Sequence, residues 1–503
     1  MSLRRRLPVP TPFVAPTPPT PTPRRPPPPS HDRLILLILT ILSLLTRLYR
    51  LHYPRAVVFD ELHFASFIAH HLRHLFAFDI HPWLGKLTLA LFARLASFPT
   101  DVLDFPIATP YPTRAYLLPR LAAALFGAAC IPLMYLIARE IGMHVPAATL
   151  AASFQLFDML LLTESRLILI DSQLMCYTQL TLLCALRLWR FSHQPNDTRC
   201  VKTYFRYLLL TAVFAAAAVS VKWTAAVTPF LITVVCLFGL VFPRMPTPLS
   251  HCALAGSVAL VCYVLPWWIH LRISTGSSPT ATRMSDRFRT TLSGNDSLPY
   301  DPQNGVTFRE KFVEMHVRQF LANRNVKTRH RWESKWYEWP LNMRGIYYYV
   351  EKADGYTDER PIVSVIYLLQ NPAGAIWVFG AVALFLILLP STLRYRNELP
   401  NKANTRRIAS VGSFLFAGYV LNLLPYMLVA RCSFLYHYLP ALMYGQLLAA
   451  LLVDGLHSRM RVVMSLIIIA SLVAAFAFWS PWVYAWPIDE KGIARRQWMP
   501  RWN

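Results

Sequence analysis

The residues best suited to chemistry are Asp60 and Glu61, within Val57-Val58-Phe59-Asp60-Glu61-Leu62-His63-Phe64. They follow the first long apolar run, Leu34 to Leu51, and have aromatic residues on both sides. A carboxylate at a bilayer boundary is costly to desolvate and tends to mark function. The plainer alternative is a solvated helix cap. Further ionisable residues lie in or beside later apolar runs: Arg120, Glu164, Arg166, Asp171, Lys222 and Arg431, with Lys86 in a shorter segment. They either pair internally, Glu164 with Arg166 or Asp171 with Arg120, or converge on a water-filled cavity. In a cavity the carboxylates would hold a proton and the cations a phosphate. That chemistry suits group transfer from a lipid-linked phosphate, with the lipid in the bilayer and its head in the cavity.

Histidines read more plainly. His81 precedes Pro82 and His437 sits in Leu435-Tyr436-His437-Tyr438; near an interface such residues serve as structural hydrogen-bonders or as site members. His70, His71 and His74 have helical spacing without a completing carboxylate, and read as a solvated face rather than a metal site. There is no DxD near Asp60, no GxGxxG and no P-loop, so neither a metal nor a nucleotide cofactor is expected.

The elements that carry these residues are membrane helices. Of 503 residues, 55% are hydrophobic and 15% charged, too apolar for an ordinary soluble protein. The formal charge of +24 would suggest nucleic acid in a soluble chain; here it fits basic cytoplasmic loops and an anionic lipid substrate. Eight Cys without CxxC spacing imply no disulfide framework. Apolar runs of ~20 residues, enough to cross ~30 Å of hydrocarbon, fall near 34–53, 117–138, 144–163, 167–188, 204–222, 224–242, 251–271, 362–389, 408–429, 433–454 and 462–482. The chain is therefore an all-α polytopic membrane protein with about eleven spans. Leu84 to Phe98, interrupted by Lys86 and Arg94, reads as an interfacial helix.

Basic residues set the orientation. With a cytoplasmic N-terminus, Arg190, Arg199, Lys202, Arg244, Arg394, Arg396, Lys402, Arg406, Arg407, Arg459 and Arg461 all fall in cytoplasmic loops. Asp60 and Glu61 then lie on the far side, with the long loop 272–361 and the C-terminus. The organisation is a disordered Pro/Arg-rich tail (1–33), a membrane module (34–271), a far-side loop (272–361), a second membrane module (362–483) and a far-side tail (484–503). The sequon Asn295-Asp296-Ser297 lies in the loop, and Asn196-Asp197-Thr198 on the opposite side.

Eight stretches in order resemble the dolichyl-phosphate-mannose–protein O-mannosyltransferases, a family of GT-C membrane glycosyltransferases. They are Tyr53 to Phe64 (YPRAVVFDELHF), His81 to Lys86 (HPWLGK), Pro119 to Tyr135, Glu164 to Asp171 (ESRLILID), Ser220 to Trp223 (SVKW), Ser277 to Asn295, Trp336 to Arg344 (WYEWPLNMR) and Arg431 to Leu442 (RCSFLYHYLPAL). The resemblance implies a GT-C fold in the endoplasmic reticulum membrane with lumenal juxtamembrane helices. It implies inverting transfer of mannose from dolichyl-phosphate-mannose, a substrate rather than a cofactor, to Ser or Thr of a secretory polypeptide. It further implies a possible homo- or heterodimer with a homologous subunit. By the same likeness Asp60 is the general base and Glu61 orients it or the acceptor. Arg47, His81, Lys86, Arg120, Arg166, Lys222, Arg431 and His437 are the candidates for binding the substrate and its leaving phosphate, Lys86 and Arg120 foremost.

The chain also departs from the family. Only Asp296 to Trp332 separates motifs between which eukaryotic members carry a β-trefoil MIR domain, and Trp83 replaces the second Pro of a His-Pro-Pro motif. The competing readings are a GT-C enzyme using another polyprenyl-phosphate sugar or acceptor, a transporter, or a catalytically silent subunit. A transporter predicts internal repeats with broken midplane helices, which the sequence does not show. The intact acidic pair argues against a silent subunit.

Overall fold

A computed structural model describes residues 30–192, 198–241, 247–294, 297–326, 329–354, 357, 361–394 and 402–502. The tail 1–29, the sequon residues Asn196, Asp197, Asn295 and Asp296, and the loop residues Arg244 and Arg396 lie outside them. The first half contains α1 (Ser30–Leu48), α2 (Glu61–Leu72), α3 (Leu84–Leu95), α4 (Leu117–Glu140), α5 (Val145–Leu156), α6 (Met159–Glu164), α7 (Asp171–Ser192), α8 (Thr198–Val221), α9 (Val227–Val241) and α10 (Leu249–Ile273). Next come α11 (Asp286–Arg289), α12 (Phe308–Asn325) and the strands β1 (Ile346–Lys352) and β2 (Ile362–Leu368). The chain ends with α13 (Pro372–Arg394), α14 (Lys402–Leu423), α15 (Leu439–Asp454), α16 (Ser458–Tyr484), β3 (Pro487–Asp489) and α17 (Glu490–Arg496).

Among the described residues, seven helices are long and apolar enough to cross a membrane: α4, α8, α10, α13, α14, α15 and α16. The remaining expected spans are helical too, but shorter or more polar. Thus α1 carries Asp32, Arg33 and Arg47, and α7 carries Asp171, Arg187 and Arg190. The run 144–163 is two helices, not one. The chain breaks at Phe157-Asp158, where the buried Asp158 side chain caps α6 by accepting from Leu160 N and Leu161 N (3.3 and 3.4 Å). A buried carboxylate satisfied by backbone N–H groups replaces helical bonds that the break removes.

A second correction concerns 362–389. Residues 362–368 form a strand, and the helix begins only at Pro372. Strand β2 pairs antiparallel with β1 on one side and β3 on the other, so the 272–361 loop, the second membrane module and the 484–503 tail share one small sheet. The register slips between Tyr347 and Tyr349, leaving Tyr348 opposite no partner. Such a bulge re-aims the extra side chain, here toward Phe59 and Glu164. The long loop also contributes α12, opened by a Thr307–Glu310 capping box.

Candidate active site

Asp60 sits at the N-terminus of α2, directly after Phe59, whose φ of 45° lies in the left-handed region. A non-glycine residue held there is costly and needs support from its surroundings. Phe59 has it: its ring stacks on Tyr348 at 4.4 Å between centroids and 10°. The Tyr348 hydroxyl in turn donates to Glu164 at 2.5 Å. The bulge of β1, the end of α6 and the Asp60 turn are thereby fixed together.

Glu61 does a different job from its neighbour. It is fully buried, and its two oxygens accept from Arg120 Nε (2.8 Å), Arg120 Nη2 (2.7 Å), Ile168 N (2.8 Å), Val58 N (3.0 Å) and the Tyr111 hydroxyl (3.4 Å). Arg120, also fully buried, spends its other donors on the carbonyls of Pro54 (2.7 Å), Ala56 (3.1 Å) and Leu51 (3.4 Å). The pair is a clasp that pins the 51–61 segment against α4. Arg120 is therefore turned to Glu61, not to a phosphate, and neither internal pairing weighed from sequence is present.

Two further cations expected to hold phosphate are likewise enclosed. Arg47 donates to the carbonyls of Leu156 (3.2 Å) and Gln155 (3.3 Å). Arg166 donates to those of Arg47 (3.0 Å), Tyr49 (2.5 Å) and Arg50 (3.2 Å), satisfying the C-terminal end of α1. Both guanidiniums hold backbone turns together.

The residues that do converge are His81, Lys86, Lys222, Arg431 and His437, with Asp60, Asp171 and Asp79. Lys222 binds both oxygens of Asp171 (2.8 and 2.7 Å) and lies over the Tyr436 ring at 5.1 Å. Lys86 is ion-paired with Asp79, donates to the His81 carbonyl (2.7 Å) and lies 4.1 Å above the Trp83 ring. Arg431 donates to Asn323 Oδ1 at 2.9 Å, and among the described residues no carboxylate pairs with it. His437 hydrogen-bonds the Phe434 backbone and stacks on Tyr436 at 4.6 Å.

The electrostatics report the same convergence. Burial pushes the Asp60 carboxyl up to about 6, helped by Asp171 and opposed by His63, Lys222 and the Tyr436 hydroxyl. Burial pushes His81 down to about 3; Lys222, Lys86 and Arg431 add to the fall and Asp79 resists it, so the imidazole is neutral. Burial lowers Lys86 to about 8 against the pull of Asp79. Asp79 itself, despite burial, is held below the usual carboxylate range by Lys86 and His81. Among the described residues Asp60 has no ion-pair partner, while Glu61, Asp79 and Asp171 are each committed to one cation.

The sequence did not single out Asp79, Tyr348 or Tyr436. Asp79 carried a usable signal, standing two residues before His81 at the mouth of α3. The reading of His70 and His71 as a solvated face is corrected: both are buried, and His71 Nε2 lies 3.1 Å from His270 Nδ1. Trp83 stacks on His270 at 3.6 Å and 8°, which gives the family's missing proline a physical replacement.

Residues 37–278 match a family model described as dolichyl-phosphate-mannose-protein mannosyltransferase, and residues 308–502 one described as the C-terminal four TMM region of protein-O-mannosyltransferase. The chain belongs to the protein O-mannosyltransferase family. It is 32% identical over 280 residues to dolichyl-phosphate-mannose–protein mannosyltransferase 4 of Schizosaccharomyces pombe, covering 52% of this chain and 35% of that protein. It is 34% identical over 275 residues to protein O-mannosyl-transferase 1 of Mus musculus, covering 52% and 36%. The alignments thus span about a third of these curated relatives. The S. cerevisiae Pmt1-Pmt2 complex bound to the sugar donor superposes with a TM-score of 0.83 at 19% identity, over 94% of this chain and 93% of that one. The fold is that of a multi-pass GT-C membrane glycosyltransferase.

Proposed function

We propose that this O-mannosyltransferase relative moves mannose from a dolichyl-phosphate-mannose donor to a Ser or Thr hydroxyl of a secretory polypeptide, with inversion. The observation that carries this reading is the division of labour around Asp60. One carboxylate stays unpaired and raised toward neutrality, opposite cations that share a site with a neutral imidazole.

Asp60 accepts the proton of the acceptor hydroxyl as its oxygen attacks the anomeric carbon. The bond from that carbon to the phosphate oxygen breaks, and the polyprenyl phosphate leaves with the bonding pair. A base with a value near 6 is ionised at neutral pH yet a competent acceptor. Arg431, which no carboxylate among the described residues pairs with, and Lys222 take the growing charge on the phosphate, and His437 stands near both. Glu61 and Arg120 position Asp60 without touching substrate. Lys86, Asp79 and His81 stand beside Lys222 and Arg431.

The basic loops and family membership support a cytoplasmic N-terminus, a lumenal C-terminus and an endoplasmic reticulum location. A homologous subunit is the proposed partner, since the similar yeast structure is a complex of two homologues. Transfer to a Ser/Thr peptide should be measured in nanodiscs with dolichyl-phosphate-mannose beside other polyprenyl-phosphate sugars. Asp60→Asn should lose roughly 10²–10⁴-fold in rate while the protein still accumulates. Undiminished transfer would remove Asp60 from the mechanism, and preference for another donor would favour the alternative GT-C reading.

A further inference from the structure

Helix α12 is apolar on two opposite faces. Its inner face packs on α10: Phe312 lies 5.7 Å from Trp267 and His316 4.2 Å from Trp267, ring centre to ring centre. Trp267 is six residues before Ile273, where α10 ends, so at about 1.5 Å per residue it lies about 9 Å inside that helix. Helix α10 is one of the seven able to cross a membrane, and its Leu265 and Trp268 are exposed at that level. The loop helix α12 is therefore sunk alongside the last turns of a membrane helix rather than standing above them.

On the outer face Val313, Val317, Phe320 and Leu321 form one stripe, 50%, 50%, 61% and 41% exposed. Arg309 and Arg324 close its two ends. A partly sunk helix with an apolar outward stripe and cationic ends has the chemistry of an interfacial helix, its side chains among acyl chains and its guanidiniums at lipid phosphates.

The inner face meets the site. Gln319 Nε2 donates to the carbonyls of Asp79 (2.6 Å) and His81 (3.3 Å), and Asn323 Nδ2 donates to that of Ile80 (2.9 Å). Asn323 Oδ1 accepts from Arg431. We propose that α12 is a lipid-seated strut: phospholipid of the leaflet on the Asp60 side covers its outer stripe, and this seating holds Arg431 and the 79–81 wall through Asn323 and Gln319. The seat stands independently of the proposed activity; the coupling to Arg431 rests on it.

The test uses the full chain in phosphatidylcholine/phosphatidylglycerol nanodiscs with benzoylphenylalanine replacing Phe320, or replacing the exposed Tyr300 as control. Irradiation should give a phospholipid adduct at 320 by mass spectrometry and little at 300. A protein–protein crosslink at 320, or no lipid adduct, overturns the seat. In the same discs Asn323→Ala should raise the donor KM about 10-fold with kcat less affected, since it frees a charged hydrogen bond, and Phe320→Glu should raise it too. An unchanged donor KM in Asn323→Ala overturns the coupling. If the wild-type chain transfers no mannose, the activity reading fails while the adduct still decides the seat.

Discussion

Arg120→Met should destabilise the protein far more than it impairs donor binding. Glu61 and Arg120 are both fully buried and share two hydrogen bonds, at 2.8 and 2.7 Å. Removing the cation leaves a carboxylate with only Ile168 N, Val58 N and the Tyr111 hydroxyl, and frees the carbonyls of Pro54, Ala56 and Leu51. Breaking one side of such a pair costs about 3–5 kcal/mol. That is a large part of a total stability of about 5–15 kcal/mol. Adding Glu61→Gln removes the stranded charge while the amide oxygen keeps one of the two backbone N–H donors, so the double variant should regain about 1 kcal/mol. Thermal unfolding in nanodiscs measures both, and donor KM on the fraction still folded at low temperature should stay within about twofold of the parent. If Arg120→Met left stability unchanged within about 0.5 kcal/mol and raised the donor KM tenfold or more, the clasp reasoning would be wrong and Arg120 would be a phosphate ligand.

Two further outcomes follow from the same geometry. The transfer rate should fall as pH drops through about 6, because protonated Asp60 cannot take the hydroxyl proton, and level off above it; a rate flat between pH 5 and 7 would refute Asp60 as the titrating base. Tyr348→Phe keeps the stack on Phe59 but loses the bond to Glu164, so it should cost about 1–3 kcal/mol of stability, with Tyr348→Ala losing more activity as the Asp60 turn loosens; equal effects of the two on transfer would deny the stack its positioning role.

The helices were legible in the sequence because they are local, and Asp60 was conspicuous for the same reason. Apolar run length reports what a segment can bury, and a carboxylate just past such a run is conspicuous whatever it touches. Residues 362–368 escaped because a short β-branched apolar run reads alike as strand or helix. Asn371-Pro372, which marks where the helix can begin, was the available signal. Pairings were not legible. Glu61 and Arg120 stand 59 positions apart and Asp171 and Lys222 stand 51 apart, and each acid had several cations of equal chemical merit. Only packing decided that three arginines hold backbone turns while Arg431, among the described residues, meets Asn323 and no carboxylate. By itself the sequence determined which groups must leave water; the tertiary structure decided which partner compensates each of them, since the partner is whatever the packed helices bring within hydrogen-bonding distance.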